Sequence, residues 1–293
     1  MKLAIFGKEY NEAKKEIFEN FFRFVQQHPE IEFVVYAPYL EKIKDKLSGI
    51  ENAKTFIEHK ELQGVDFVCS LGGDGTILRA AEVTLSRNIP LLGINMGHVG
   101  FMAEVNRPTI AAIAECIIGS NYVTENRMVL RFAVERAGKE IGTGWALNEV
   151  TVERDGTTMV ELFVEIDSRP LSHWGCDGLI CSSPTGSTAY AFSAGGPVLW
   201  PEVDALVLLP ISAHALFSRP MVVSPKSEIL VTIESTDALL SADALRKLPL
   251  KKGDKVLITR GSQTIKLSHV SKTLFTDRLV AKFKLPVEGW RGE

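Results

Sequence analysis

Asp74 sits inside Gly72-Gly73-Asp74-Gly75, between an apolar run at 67–71 and a helical pattern that starts at Thr76, with Ile77, Leu78, Ala81 and Val83 apolar. A carboxylate between glycines at a strand-to-helix turn can orient an acceptor hydroxyl or take its proton. The glycines let the backbone turn sharply and come close to a ligand. The helix that follows offers free N–H groups to phosphate oxygens. The same residues also fit a tight turn with Asp74 as helix cap.

A second stretch, 176–197, runs from an apolar strand at 178–182 into a loop dense in hydroxyls and glycines: Ser182, Ser183, Thr185, Gly186, Ser187, Thr188, Tyr190, Ser193, Gly195 and Gly196. Hydroxyls donate and accept hydrogen bonds without bringing charge, which suits a ribose, an amide or a phosphate-bearing ligand. Tyr190 can stack on a flat ring. Read blandly, the same loop is a serine- and glycine-rich connection. In a third stretch, Trp145 to Val152, Asn148 and Glu149 interrupt an apolar strand. Neighbours on a strand face opposite ways, so one of the two is expected on a buried side, where a polar group without a partner is costly. A bulge or an edge position is the alternative.

Elements that could hold these groups follow from the periodicity. Strands are expected at 2–7, 32–37, 67–71 and 89–94, with helices at 9–28, from Pro38 to about Leu47, at 76–87 and at 108–118. Strand alternating with helix means an open, mostly parallel sheet with helices on both faces, and ligands of such sheets bind beyond the carboxyl ends of the strands. Both glycine-rich turns, 72–75 and 97–100, fall at such ends. From about residue 120 the texture changes to short Val-, Leu-, Ile- and Thr-rich runs at 128–135, 144–153, 159–166, 178–183, 204–209, 228–234, 254–260 and 263–269, with turn signals between them. That is all-β texture. The domains expected are therefore 1–122, α/β, and 123–274, a β-sandwich. Residues 275–293, with Phe283, Val287 and Trp290, are apolar enough to pack back on the first.

Composition narrows the classes. The 293 residues are 45% hydrophobic and 24% charged, ordinary for a globular chain. A net charge of −3 gives no basic field to draw nucleic acid. No run approaches the roughly 20 apolar residues of a membrane span, so no membrane partner is expected. The four cysteines, Cys69, Cys116, Cys176 and Cys181, form no Cys-x-x-Cys pair; buried reduced thiols and a cytoplasmic protein are expected. The six histidines are scattered, so no metal cage made by protein alone is expected. Neither the P-loop pattern nor Gly-x-Gly-x-x-Gly after the first strand occurs.

Taken together, three separated motifs resemble the ATP-NAD kinase family. They are Gly72-Gly73-Asp74-Gly75-Thr76, Asn148-Glu149, and Asp177-Gly178-Leu179-Ile180 leading to Thr185-Gly186-Ser187-Thr188-Ala189-Tyr190 and Ser193-Ala194-Gly195-Gly196-Pro197. Gly93-Ile94-Asn95 with Gly97-His98-Val99-Gly100-Phe101, and Arg219-Pro220, are similar to further family elements. The first motif is shared with lipid kinases and phosphofructokinase-like enzymes; the other two are specific. The resemblance implies transfer of the terminal phosphoryl of ATP to the 2′-hydroxyl of the adenosine ribose of NAD, giving NADP, with a divalent cation, Mg²⁺ by preference, in a homodimer or homotetramer. It implies a catalytic role for Asp74 and ligand contacts from Gly75, Arg79, Asn148, Glu149, Asp177, Thr188, Ala189, Tyr190, Ala191, Phe192, Ser193 and Ser212. It makes the first domain the nucleotide-binding one and the second the NAD-binding one. Two departures stand out. No basic residue precedes Asp177 in Trp174-Gly175-Cys176, and Asp243-Ala244-Leu245 lacks a glutamine found in many bacterial members. A lipid or sphingoid-base kinase, or an NAD(P)-sensing module without turnover, are the alternatives.

Overall fold

A computed structural model describes residues 1–7, 15, 19–20, 22–23, 27–28, 31–45, 54–57, 59–95, 100–103, 110–235, 237–270 and 274–287. The helix expected at 9–28 lies largely outside these, as do residues 96–99 and Trp290. The chain divides into two compact units, residues 1–126 with 265–293, and residues 127–264. No helix among the described residues is long and apolar enough to cross a membrane.

In the first unit, β1 (Lys2–Gly7), β2 (Glu32–Tyr36), β3 (Lys54–Phe56), β4 (Phe67–Leu71) and β5 (Leu91–Ile94) lie in the order β3-β2-β1-β4-β5. Every neighbouring pair is parallel. Leu267 and Ser268, near the end of a long strand Lys255–His269, pair in parallel with Leu91 and Leu92 of β5. All five residues of β4 are buried, the mark of a strand covered on both faces. Among the helices, α1 (Ala37–Ile43) starts on Pro38, whose missing N–H is no loss in a first turn, and buries Tyr39, Leu40 and Ile43. α2 (Asp74–Thr84) buries Ile77, Ala80, Ala81 and Val83. α3 (Ile110–Ile118) and a C-terminal helix, Phe275–Phe283, follow. The core joins Leu3, Ile5, Val35, Tyr39, Phe67, Leu71, Leu92 and Ile113. Strand order reverses between β1 and β4, which opens a crevice beyond their carboxyl ends.

The second unit is mostly β, with short helical turns at Gly186–Thr188 and Tyr190–Ser193. Its strands are β6 (Val123–Arg136), β7 (Lys139–Ala146), β8 (Glu149–Arg154), β9 (Val160–Ile166), β10 (Arg169–Cys176), β11 (Gly178–Ser182), β12 (Leu206–Ile211), β13 (Met221–Val223), β14 (Ile229–Ile233), β15 (Ala238–Ala242), β16 (Arg246–Leu250) and β17 (Lys255–His269). β6 and β17 carry residues of both units. One antiparallel sheet runs β13-β12-β11-β8-β15-β16; the other runs β10-β9-β14-β17, with β6 pairing β17 and β7. Alternate residues point inward. Val150 and Val152 of β8 and Leu179 and Cys181 of β11 therefore share one core with Leu162 and Val164 of β9 and Val231 and Ile233 of β14. Trp174 is fully buried in it and satisfies its indole N–H on the Phe217 carbonyl at 3.3 Å. The α/β unit and the β-sandwich are the architecture expected from the sequence.

Candidate functional site

Asp74 opens α2, and Gly73, not Asp74, is the N-cap, with no side-chain capping bond. The capping alternative is thereby replaced. The carboxylate turns away from its own helix and accepts two backbone amides, Phe101 N–H to Oδ2 at 2.8 Å and Met102 N–H to Oδ1 at 3.1 Å. Gly100 allows this approach, because a Cβ there would overlap the Asp74 carboxylate. On the other side the turn is open: a Cβ at Gly73 or Gly75 would meet nothing within 4 Å. The first amides of a helix have no partner inside it and sit at its positive end. Gly75 thus offers both space and a donor to an anion. Gly72 is close-packed instead, its Cα against the Thr76 side chain.

Arg79, one turn further along α2, lines a cavity of about 420 Å³ together with Phe6, Gly7, Tyr36, Pro38, Lys42, Ile57, Glu82 and Val83. Gly7 ends β1 and Tyr36 ends β2, so the cavity lies at the carboxyl ends of the strands, beside the reversal of strand order. Phe6 and Tyr36 stack there with ring centroids 4.4 Å apart. Two cationic side chains and an aromatic wall suit a ligand that joins a flat ring to anionic groups.

In the second unit, Asn148 and Glu149 stand at the start of β8, between β11 and β15 in mid-sheet. That excludes the edge alternative. Both are buried, 8% and 7% exposed. Asp243 explains how the strand can open on polar residues. Its carboxylate accepts the amides of Leu147 at 2.8 Å and Asn148 at 2.7 Å, and its own N–H donates to the Glu149 carbonyl at 3.1 Å. Asp243 and Ala244 hold left-handed backbone, φ 53° and 55°, a strained conformation of the kind that clusters at functional sites. Burial pushes the Asp243 carboxyl up, against the pull of those amides and of Arg246. Glu149 is pushed up to about 8, first by burial and then by the charge of Asp243, with the Tyr190 backbone N–H opposing. Its Oε2 is buried and has no hydrogen-bond partner among the described residues.

The hydroxyl-rich loop divides into two parts. Ser182, Ser183 and Ser187 are fully buried and spend their hydroxyls on backbone carbonyls of the loop and of the segment before β8. Ser182 donates to Asn148 O at 3.2 Å, Ser183 to Leu147 O, and Ser187 to Pro184 O at 2.7 Å. Gly186 lies on the Asn148 backbone so closely that a Cβ would overlap it. These residues fix Asn148 and Glu149 in place and are not free for a ligand. The outer part faces solvent: Thr188 and Ala189 are half-buried, and Tyr190, Phe192 and Ser193 are exposed. Ala191 differs. It is buried with Ile180, Val207 and Leu209, so only its backbone can reach a ligand. The Tyr190 hydroxyl donates to Glu153 Oε2 at 3.2 Å.

Asp177, between β10 and β11, pairs with Arg154 Nε at 2.8 Å. The basic partner missing from its own segment comes from β8. Ser212, just past β12, is exposed with φ 49°. Among the described residues no three His, Cys, Asp or Glu side chains gather as metal ligands. The four cysteines are buried and form no disulfide, and burial pushes Cys176 up to about 11 and Cys181 to about 12. Sequence reasoning named Asp243 and Gly100-Phe101 without giving them these contacts, and it passed over Arg154, Met102 and Ala103. An acid beside two small residues after an apolar strand, and an arginine ending β8, were the only signals.

The first unit is doubly wound with a carboxylate at its glycine turn, and the second is a sandwich with buried polar groups beside an exposed loop. Residues 3–122 match the ATP-NAD kinase N-terminal domain, and residues 147–270 the ATP-NAD kinase C-terminal domain. An NAD kinase of Thermobifida fusca is 48% identical over 236 residues, 78% of this chain and 72% of that one. A yeast NADH kinase complexed with NADH shares the fold, with TM-score 0.90 and 23% identity over 100% of this chain and 89% of that one. An NAD kinase from Archaeoglobus fulgidus in complex with ATP gives TM-score 0.70 and 26% identity over 97% of this chain and 99% of that one. The chain belongs to the ATP-NAD kinase family.

Proposed function

We infer that this chain is an NAD kinase that moves the terminal phosphoryl of ATP to the 2′-hydroxyl of the adenosine ribose of NAD. Family membership favours this over a lipid kinase or a sensor without turnover. The observation that carries it is Asp74, a carboxylate held by two backbone amides where a helix begins. Held so, it keeps lone pairs for the incoming hydroxyl. Phosphoryl transfer depends on alignment and charge stabilisation. A ribose hydroxyl is a weak acid, so Asp74 orients it and accepts its proton late. Gly75 and the start of α2 receive the phosphates. The cavity walled by Phe6, Tyr36, Lys42 and Arg79 takes the donor nucleotide.

On the acceptor side, the orphan Oε2 of Glu149 is suited to a hydroxyl of NAD, with Asn148 beside it. Asp177 and residues Thr188 to Ser193 line the same substrate, Tyr190 against a ring and Ala191 by its backbone. A divalent cation, Mg²⁺ by preference, would neutralise charge on the triphosphate. The residues fit an ion carried mainly by phosphate oxygens, because Asp74 offers one carboxylate and no cage surrounds it among the described residues. We place the protein in the cytoplasm, where its four buried thiols, none in a disulfide, stay reduced, and as a homodimer or homotetramer. Leu216 is fully exposed and Phe217 57% exposed, a few residues after Ser212; such apolar exposure fits coverage by a second copy. Sedimentation of Leu216→Glu as a smaller species than wild type tests that assembly.

The test of function is direct. Purified protein with NAD, ATP and Mg²⁺ yields NADP, read by a dehydrogenase specific for it. Asp74→Asn keeps NAD affinity, measured by calorimetry, and loses on the order of 10²- to 10⁴-fold in turnover. Normal turnover in that variant removes Asp74 from its role.

A further inference from the structure

Residues 100–103 run between two polar groups of the first unit. On one side the amides of Phe101 and Met102 end on Asp74. On the other, Arg278 of the C-terminal helix donates from Nη1 to the carbonyls of Phe101 at 2.9 Å and Ala103 at 2.8 Å. Arg278 is 2% exposed, as is His269. Arg278 Nη2 lies 2.9 Å from His269 Nδ1. A guanidinium only donates, so Nδ1 accepts and the ring proton sits on Nε2, which faces Glu125 Oε2 at 3.6 Å. The ring of Phe101 packs between Phe275 and Phe283 of the same helix, at 5.8 and 5.7 Å.

Burying a guanidinium carries a desolvation penalty that its bonds must offset, and an aliphatic side chain would fill the space without it. What the cation adds is polarisation. The Phe101 carbonyl and the Met102 N–H are the two ends of one peptide group. A charged donor on that carbonyl strengthens that N–H as a donor in turn, and the N–H ends on Asp74 Oδ1. Gly100 lets the same segment press against the carboxylate from the side. We propose that Arg278 is a positioning residue for Asp74, acting through the peptide group of residues 101–102 and itself oriented by His269. The inference rests on the role given to Asp74 above.

Arg278→Lys keeps the charge and loses the fork that spans two carbonyls; His269→Gln disturbs the arginine more mildly. For each, kcat, the KM values for NAD and ATP and the melting midpoint are measured on folded protein, alone and in an Asp74→Asn background. Misplacing a catalytic group by a fraction of an ångström costs on the order of 10-fold. Arg278→Lys is therefore expected to lower kcat about 10-fold and His269→Gln about 3-fold, with both KM values within about 3-fold. Neither should lower the residual single-turnover rate of Asp74→Asn further. Unchanged kcat in folded Arg278→Lys overturns the proposal, as does an equal loss in the Asp74→Asn background. So does failure of both variants to fold, which would assign the cluster to the fold alone. Normal turnover in Asp74→Asn would instead sink the role of Asp74 itself, which keeps the two ideas apart.

Discussion

Glu149→Gln separates the electrostatics of the second unit from its packing. The side chain is 7% exposed, and the change keeps its shape while removing the titration. Burial and the neighbouring charges of Asp243 and Glu153 raise its carboxyl from 4.5 to about 8. Below pH 4.5 the group is protonated in both folded and unfolded chains, and its contribution to stability is complete. Between pH 4.5 and 8 unfolding releases a proton, so stability falls as pH rises; above pH 8 the contribution is gone. At about 1.4 kcal/mol per pH unit the full span is about 5 kcal/mol, an upper bound. Asp243 shares the burial and takes part of the titration, which brings the expectation to about 2 kcal/mol. Glutamine is neutral throughout and carries no such slope. In ligand-free protein the melting midpoint of Glu149→Gln should nearly match wild type at pH 5. It should exceed wild type by about 4–8 °C at pH 8.5, given about 2–4 °C per kcal/mol for a domain of this size. Scanning calorimetry at half-unit pH steps reads the gap directly. A gap that stays constant from pH 5 to 9 would refute the raised carboxyl.

Two glycine substitutions test the close approaches on which each site depends. Gly100→Ala puts a methyl where the Asp74 carboxylate lies, so turnover should fall about 10-fold or more while NAD binding by calorimetry stays unchanged; a kcat equal to wild type would show that the carboxylate position is unimportant. Gly186→Ala drives a Cβ into the Asn148 backbone, and because backbone cannot swing aside, a loss of about 1–3 kcal/mol in urea unfolding is expected, with weaker NAD binding alongside; wild-type affinity in a folded Gly186→Ala would detach the loop from Asn148.

What could be read from the chain and what could not divides along the range of the interactions. Parallel strands buried on both faces declare themselves as apolar runs, so β1, β4 and β5 were plain; β10, Arg-Pro-Leu-Ser-His-Trp-Gly-Cys, was not, because its only fully buried side chains are Trp174 and Cys176. Gly261-Ser262 separates the runs 254–260 and 263–269, read as two strands, yet β17 runs straight through it. The glycine is there because a Cβ would lie 2.7 Å from Val129, a reason that exists only in three dimensions. The run 144–153 read as one strand and is two, since Asp243, far along the chain, takes the amides of Leu147 and Asn148 that would otherwise continue a ladder. The same distance hid the support of the sites. Asp74, Asn148 and Glu149 stand out locally because polar groups in apolar surroundings break a pattern. Arg154, Asp243 and Arg278 do not, because an arginine or aspartate at the end of a strand or on a short helix is ordinary until its partners are known. For each recognisable residue here, the group that orients it comes from a different element, and its own sequence context carries no trace of why it stays in place.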